Sequence, residues 1–244
     1  MPPATTDELE RFTAGLQDLC AGGTVEYREG DRVSDIRLLH AGQHVNTTDP
    51  IEFLVAATGL KAAAVAGRRG TGIISFGLLD PAAWSAFHHA RRQAAGAPRD
   101  VDSYVMTSLH VLDEGEAPYG DAVRDATGHL VMSLLTFAAD APAFAERLGV
   151  EERDAVRSLL DRRGTTTVAP DRHTALYPNY LGRIAPADRD LILPSLIDAL
   201  ALVGMRDDLL ARIATLEQAG VNEIVIQPMI DPSTEMAELA KLTT

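Results

Sequence analysis

The protein has 244 residues, of which 46% are hydrophobic and only 5% aromatic, with 35 acidic against 22 basic residues. A chain of this length can bury one substantial core, so the composition indicates a single soluble α/β domain over residues 1–244. The formal net charge of −13 would repel phosphate backbones and anionic lipids, which excludes nucleic acid and membranes as expected partners.

Cysteine content and hydropathy restrict the class of protein further. A lone cysteine, Cys20, excludes an intrachain disulfide, and no apolar run reaches the roughly 18 to 20 residues that cross a bilayer. The first residues lack the segments of a signal peptide, so we expect a cytoplasmic protein. No metal site is expected, because His88 and His89 are adjacent on a predicted helix and point in different directions.

The first 50 residues predict a helix followed by a connector. Thr5 and Glu8 have the spacing of a capping box, and Gly22 ends the helix. One face of this helix is apolar, at Leu9, Phe12, Leu16 and Leu19. We expect that face to pack against a core, and residues 24–27 and 34–39 to form short extended segments.

From residue 51 the pattern changes to strands that alternate with helices, which separates residues 51–244 from the N-terminal helix and connector. The apolar run 53–57 predicts a strand buried on both faces, as in a parallel sheet. Further strands are predicted at residues 72–76, 104–112 and 223–227, with a possible fifth at 199–203. Four or five strands fit either part of an eight-stranded barrel or an open doubly wound sheet.

The turn that follows the first of these strands has the features of an anion site. Thr58 and Gly59 open an Ala-rich helix, so unpaired amides and the positive end of the helix dipole lie there. Gly59 would let a phosphate approach the backbone, Thr58 offers a hydroxyl and Lys61 a charge. The simpler alternative is that Thr58 only caps the helix.

A polar and aromatic segment, residues 165–186, interrupts the helices of the second half. It includes His173, Tyr177, Asn179 and Tyr180. Long loops within a compact domain often carry function, so we expect these side chains to stack on or hydrogen-bond a ligand. For His173, a surface histidine without a role is the alternative.

Two segments resemble the luciferase-like family of flavin- and deazaflavin-dependent oxidoreductases. In residues 55–74 a strand, a Thr-Gly turn and an Ala-rich helix lead to Ala-Gly-Arg-Arg-Gly-Thr-Gly and another strand, and residues 204–225 are similar to the family's last strand, helix and strand. The resemblance covers about residues 7–242 and includes the pair Asp188-Arg189. Thr71 stands where the family has Asp, and roughly the first four strands of the barrel have no counterpart.

The resemblance implies a partial TIM barrel with four or five parallel strands and surrounding helices, without the N-terminal half. It implies FMN or the deazaflavin coenzyme F420 as the cofactor, with the phosphate held by Thr58, Gly59, Leu60 and Lys61. The substrate pocket would include Ser75, His173, Tyr177 and Asn179. Ser75 would face the barrel mouth, or it is simply a buried polar residue.

The implied activity is hydride transfer to a small organic substrate, by this chain or by an assembly of which it is a subunit. A partial barrel exposes sheet edges and apolar faces, so we expect a homo- or hetero-oligomer, including a chain that supplies the absent half. The alternative is a noncatalytic homologue that acts as a structural partner or ligand-binding subunit. The sequence names no catalytic acid or base.

Overall fold

Residues 4–40, 42, 47–96, 101–164, 172–228 and 231–243 are described in the computed structural model of the protein, with residues 172, 173 and 243 described by their backbone alone. The helices are α1 (Thr6–Cys20), α2 (Leu60–Arg69), α3 (Pro81–Ala94), α4 (Asp121–Asp140), α5 (Pro142–Ala145), α6 (Val150–Arg163), α7 (Arg172–Leu176), α8 (Pro194–Leu200), α9 (Arg206–Gln218) and α10 (Pro232–Thr243). The strands are β1 (Val25–Glu29), β2 (Arg32–Ile36), β3 (Leu54–Ala56), β4 (Gly72–Phe76), β5 (Ser103–Val111), β6 (Ala201–Gly204) and β7 (Glu223–Ile226). A 3₁₀ helix spans Pro186–Leu191.

The fold is α/β, with a central sheet and surrounding helices, and all five strands expected after residue 50 are confirmed. Hydrogen bonding orders them β3, β4, β5 and β6, with β7 also paired to β5. Leu54 pairs with Gly72 in the parallel β3–β4 ladder, and Ser108 pairs with Ala201 in the parallel β5–β6 ladder. Among the described residues this order does not return to β3, so no closed barrel is seen.

The chain groups into two compact units. The first comprises residues 1–75, 82–104 and 219–223, and the second comprises residues 76–81, 105–218 and 224–244. The expectation of a single domain over residues 1–244 stays a prediction.

The N-terminal part of the first unit forms as its local sequence predicts. The Glu8 amide donates to the Thr5 hydroxyl (3.2 Å) and the Thr5 amide donates to the Glu8 carboxylate (2.7 Å), which completes the capping box of α1. The two extended segments that follow are strands of an antiparallel hairpin, in which Tyr27 lies opposite Ser34.

Two predictions of burial in the first unit hold only in part. The apolar face of α1 is half covered: Leu9 and Leu19 are partly buried, whereas Phe12 is 65% exposed and Leu16 36% exposed. Strand β3 is buried on one face only: Val55 is covered, whereas Leu54 is 37% exposed and Ala56 is exposed as well. In the described part of the chain β3 pairs with β4 alone, so it is an edge strand with one open face.

The core of the second unit lies on both sides of the β5–β6 ladder. Leu130 and Leu135 of α4 pack with Ile192 and Ile197 in the larger cluster, whereas Leu109 of β5 packs with residues of α9 and α10 in the smaller one. The connection that follows β5 begins with α4, α5 and α6. The polypeptide between residues 165 and 171 lies outside the described residues.

Candidate functional site

The turn between β3 and α2 presents an uncapped helix end. Gly59 is the N-cap residue, with extended backbone (φ −172°, ψ 170°) and no side-chain hydrogen bond to the helix. The first intrahelical bond runs from the Ala63 amide to the Gly59 carbonyl (3.2 Å), so the amides of residues 60–62 precede the helical ladder. The alternative in which Thr58 caps the helix is therefore wrong.

The surroundings of this turn are open and carry a positive charge. In the described part of the chain, a Cβ added to Gly59 would meet no atom within 4 Å. Thr58 and Lys61 are exposed, and Leu60 is 53% exposed. Neither Asp nor Glu lies in the first turn of the helix, so the helix itself places no carboxylate at the positive end of its dipole. Backbone amides, a hydroxyl and an ammonium group suit a phosphate or another oxyanion.

The glycines of the motif at residues 66–72 have structural causes. A Cβ added to Gly67 would overlap the carbonyl oxygen of Arg91, because α2 and α3 touch there through their backbones. Gly70 ends α2 in the left-handed region (φ 62°), which strongly favours glycine. A Cβ added to Gly72 would overlap the Asp102 carbonyl. The motif therefore fixes helix packing and the entry into β4.

Ser75 lies on the covered face of the sheet. It is 4% exposed. Side chains of a strand point alternately to the two faces, so Ser75 shares a face with Ile73, which pairs with the buried Val55. The open face is the one that carries Leu54 and Ala56. Burial of Ser75 agrees with the alternative of a buried polar residue, and its place at a barrel mouth stays a prediction.

In the second unit the structure brings Tyr177 and Asn179 to one cavity of about 30 Å³. The Tyr177 hydroxyl donates to the Thr136 carbonyl (3.2 Å) and to Asp140 Oδ2 (2.9 Å), and its ring meets that of Tyr180 edge to face at 5.4 Å. Asn179 and Tyr180 are exposed at the rim. The side chain of His173 lies outside the described residues, so its predicted role stays untested.

Asp188 and Arg189 connect the 3₁₀ helix to two α-helices of the second unit. The buried Asp188 carboxylate pairs with Arg163 at the end of α6. Arg189 points the other way and donates to both oxygens of Asp125 on α4, at 2.9 and 2.6 Å. Hydrogen bonding to Asp125 holds the pKa of Arg189 above its usual value. These two adjacent residues thus tie the 3₁₀ helix to α4 and α6.

Sequence reasoning missed a carboxylate–imidazole pair at the C-terminal end of β5. His110 Nε2 lies 2.8 Å from Glu116 Oε1, and the Asp113 amide donates to Glu116 Oε2 (3.0 Å). The Asp113 amide, and then His110, hold the pKa of Glu116 below its usual value. Strand ends of this kind carry the chemistry of many parallel α/β proteins. A histidine at the end of a predicted strand was the available signal.

The described residues contain no group of three or more His, Cys, Asp or Glu side chains with metal-binding geometry. Among the same residues, no helix combines the length and the apolar character that a membrane crossing needs.

Among the solved structures that share the fold, three are similar over nearly the whole of this chain. The first is the coenzyme F420 dependent tetrahydromethanopterin reductase from Methanopyrus kandleri, with a TM-score of 0.56 and 17% identity over 96% of this chain and 61% of that one. The second is an F420-dependent secondary alcohol dehydrogenase in complex with an F420-acetone adduct, with a TM-score of 0.56 and 13% identity over 99% of this chain and 63% of that one. The third is the oxygenating constituent of 3,6-diketocamphane monooxygenase from the CAM plasmid of Pseudomonas putida, a type II Baeyer-Villiger monooxygenase in complex with FMN, with a TM-score of 0.51 and 15% identity over 97% of this chain and 60% of that one.

The chain thus spans about three fifths of the length of these three proteins. No family model matches the sequence, and no curated protein matches it. At 13 to 17% identity the likeness shows the α/β fold alone.

Proposed function

We infer that the chain is a flavin- or deazaflavin-dependent oxidoreductase, or a subunit of one, which binds the phosphate of FMN or F420 at the N-terminus of α2. The observation that carries this proposal is the uncapped helix end at Gly59, with open space above it and Lys61 beside it. The luciferase-like resemblance of residues 55–74 and the F420- and FMN-linked proteins of the same fold support it.

The residues of the turn fit such a cofactor. The amides of Leu60 and Lys61 would donate to the phosphate, the Thr58 hydroxyl would add a donor, and Gly59 would leave room for the oxygens. When bound, the cofactor supplies the hydride chemistry, while the protein holds the phosphate and so fixes the position of the ring. FMN and F420 remain equal candidates, because both present a phosphate.

The substrate is proposed to be a small organic molecule, with Ser75, His173, Tyr177 and Asn179 as pocket residues. Association with a second copy, or with a chain that supplies further barrel strands, is part of the same proposal. The open face of β3 and the exposed Phe12 and Leu16 support it, since parallel sheets are normally covered on both faces.

A pair of substitutions at the N-cap separates cofactor binding from helix stability. Gly59→Asp and Gly59→Asn both place a capping oxygen at the open position and should leave the melting temperature unchanged or slightly raised. The aspartate also puts a negative charge where the phosphate would lie. We expect Gly59→Asp to weaken FMN or F420 binding at least about tenfold more than Gly59→Asn.

Fluorescence titration of both cofactors against the wild type and the two variants measures this difference. Equal affinities in the two variants, with both proteins folded, would show that the phosphate does not lie at α2.

The second candidate function is a noncatalytic homologue that binds a ligand or a partner. It is favoured by the exposed apolar faces of the first unit, which suit a subunit of a larger assembly. Absorbance of copurified cofactor, the mass of the assembly and reductase activity distinguish the two. A yellow, active assembly supports the oxidoreductase, and a colourless assembly without turnover supports the noncatalytic homologue.

A further inference from the structure

The C-terminal helix α10 is held on the second unit with little apolar burial. Among the residues of α10 whose side chains are described, Leu242 alone is buried, at 8% exposure. Leu242 and the partly buried Leu239 join the cluster around Leu109 and Leu202. Met236 of the same helix is 57% exposed. Two leucines bury much less apolar surface than the long helix α4 does, so apolar packing alone would hold α10 weakly.

Contacts with charged groups supply much of the remaining attachment. The Val111 amide, at the end of β5, donates to Glu238 Oε2 of α10 (3.0 Å). Lys241 of α10 lies 3.5 Å from Asp113 Oδ1 and, within the helix, 2.7 Å from Glu238 Oε1. Arg206 Nε at the start of α9 donates to the Lys241 carbonyl (2.9 Å). Each of these contacts with the rest of the unit includes a charged side chain, so salt weakens the attachment of α10.

Two adjacent amides at the end of β5 bond to different parts of the unit. The Leu112 amide donates to the Gly204 carbonyl of β6 (2.9 Å), which continues the β5–β6 ladder. The Val111 amide donates away from that ladder, to the side chain of Glu238. Leu112 therefore loses its hydrogen bond when the sheet opens, whereas Val111 loses its own as soon as α10 leaves.

α10 is also linked to the carboxylate–imidazole pair at the end of β5. Lys241 contacts the Asp113 carboxylate. The Asp113 amide donates to Glu116 (3.0 Å), whose other carboxylate oxygen lies 2.8 Å from His110 Nε2. The Asp113 amide and then His110 lower the pKa of Glu116, and the charge of Lys241 adds to their effect. Departure of α10 would therefore remove a positive charge from the surroundings of this pair.

We propose that α10 is a strap over the C-terminal end of β5, which opens as a unit when salt screens its charges while the sheet stays folded. In the closed state Glu238 holds the Val111 amide, and Lys241 holds the segment that leads to Glu116. Opening uncovers that amide and the apolar residues beneath α10, and it takes a cation away from Glu116. The strap thus controls the electrostatic surroundings of the His110–Glu116 pair. The proposal is independent of the function proposed for α2.

Hydrogen exchange of the two adjacent amides tests the strap in the full chain. Raising sodium chloride from about 0.01 M to about 1 M shortens the Debye length from roughly 30 to 3 Å. The protection factor of Val111, taken against the unfolded chain in the same salt, should then fall about tenfold, whereas that of Leu112 should stay within about twofold. The amides of Leu239 and Leu242 should follow Val111, because a detached helix of this length is not stable in water. Equal changes at Val111 and Leu112, or no response of Val111 to salt, would overturn the proposal.

A pair of substitutions provides a matched comparison. Lys241→Gln removes the cation of the strap and should lower the protection factor of Val111 about fivefold at low salt, with a weaker response to added salt. Arg157→Gln removes an exposed ion pair with Asp154 (3.0 Å) on α6 and should leave Val111 as in the wild type. Unchanged exchange in Lys241→Gln, or equal changes in both variants, would contradict the proposal. If Lys241→Gln does not fold, the salt series on the wild type decides.

Discussion

Replacing Gly67 by alanine should lower the free energy of unfolding by about 3 kcal/mol, even though alanine is the better helix former. The added Cβ would overlap the carbonyl oxygen of Arg91 and lie 2.9 Å from its carbonyl carbon. Both are backbone atoms of α3, so no side chain can rotate away and the helices must separate. Urea denaturation of the variant measures the loss.

Gly96→Ala is the control for that substitution, because a Cβ at Gly96 would meet no atom of the described residues within 4 Å. It should change the free energy of unfolding by about 0.5 kcal/mol or less. Indistinguishable denaturation midpoints for the two variants would show that α2 and α3 do not touch at Gly67.

Acidification should destabilise the protein through His129. This histidine is 1% exposed in the middle of α4, and its Nε2 shares a hydrogen bond of 3.0 Å with the Ser108 hydroxyl on β5. Burial lowers the pKa of His129 from 6.5 to about 4, and the charge of Glu235 offsets only part of that effect. The group is therefore neutral in the folded protein at a pH where it is protonated in the unfolded chain.

The direction of the pH effect follows from proton uptake. Between pH 6.5 and about 4, His129 is protonated in the unfolded state but not in the folded state. Its contribution to the free energy of unfolding is therefore present above pH 6.5 and is lost as the pH falls through this window. The shift corresponds to about 3 kcal/mol. His129→Gln should remove this part of the pH dependence, as measured by denaturation at a series of pH values.

His89→Gln is the matched control, because His89 is exposed on α3. It should keep the wild-type slope of stability against pH. A His129→Gln protein with the same slope as the wild type would contradict the assignment of acid sensitivity to this residue.

Local sequence signals predicted the elements well because their causes are local. The capping box of Thr5 and Glu8 and the apolar runs of the strands each depend on a few neighbouring residues. Burial was harder to predict, because an apolar face shows what a helix could bury and not whether a partner is present. Phe12, Leu16 and Leu54 are exposed for that reason.

The candidate sites also differ in whether a local pattern or the fold of the chain determines them. The turn at residues 58–61 follows from a local pattern of strand, glycine and helix, and only the identity of the N-cap residue needed the structure. The cavity at Tyr177 depends on Arg163 and Asp188, which lie 25 positions apart, and the buried pair of Ser108 and His129 lies 21 positions apart. Such pairings depend on the fold of the chain, so periodicity cannot reveal them.

The most direct test of the α2 proposal compares phosphorylated ligands with their phosphate-free cores. FMN and riboflavin differ only by the phosphate, and F420 and its deazaflavin core differ by the phosphate together with the acidic tail attached to it. The backbone amide signals of Leu60 and Lys61 in a ¹H–¹⁵N spectrum should shift to saturation with at least one phosphorylated ligand and not with its phosphate-free partner. Unmoved amides with both phosphorylated ligands, or equal shifts within each pair, would contradict the account.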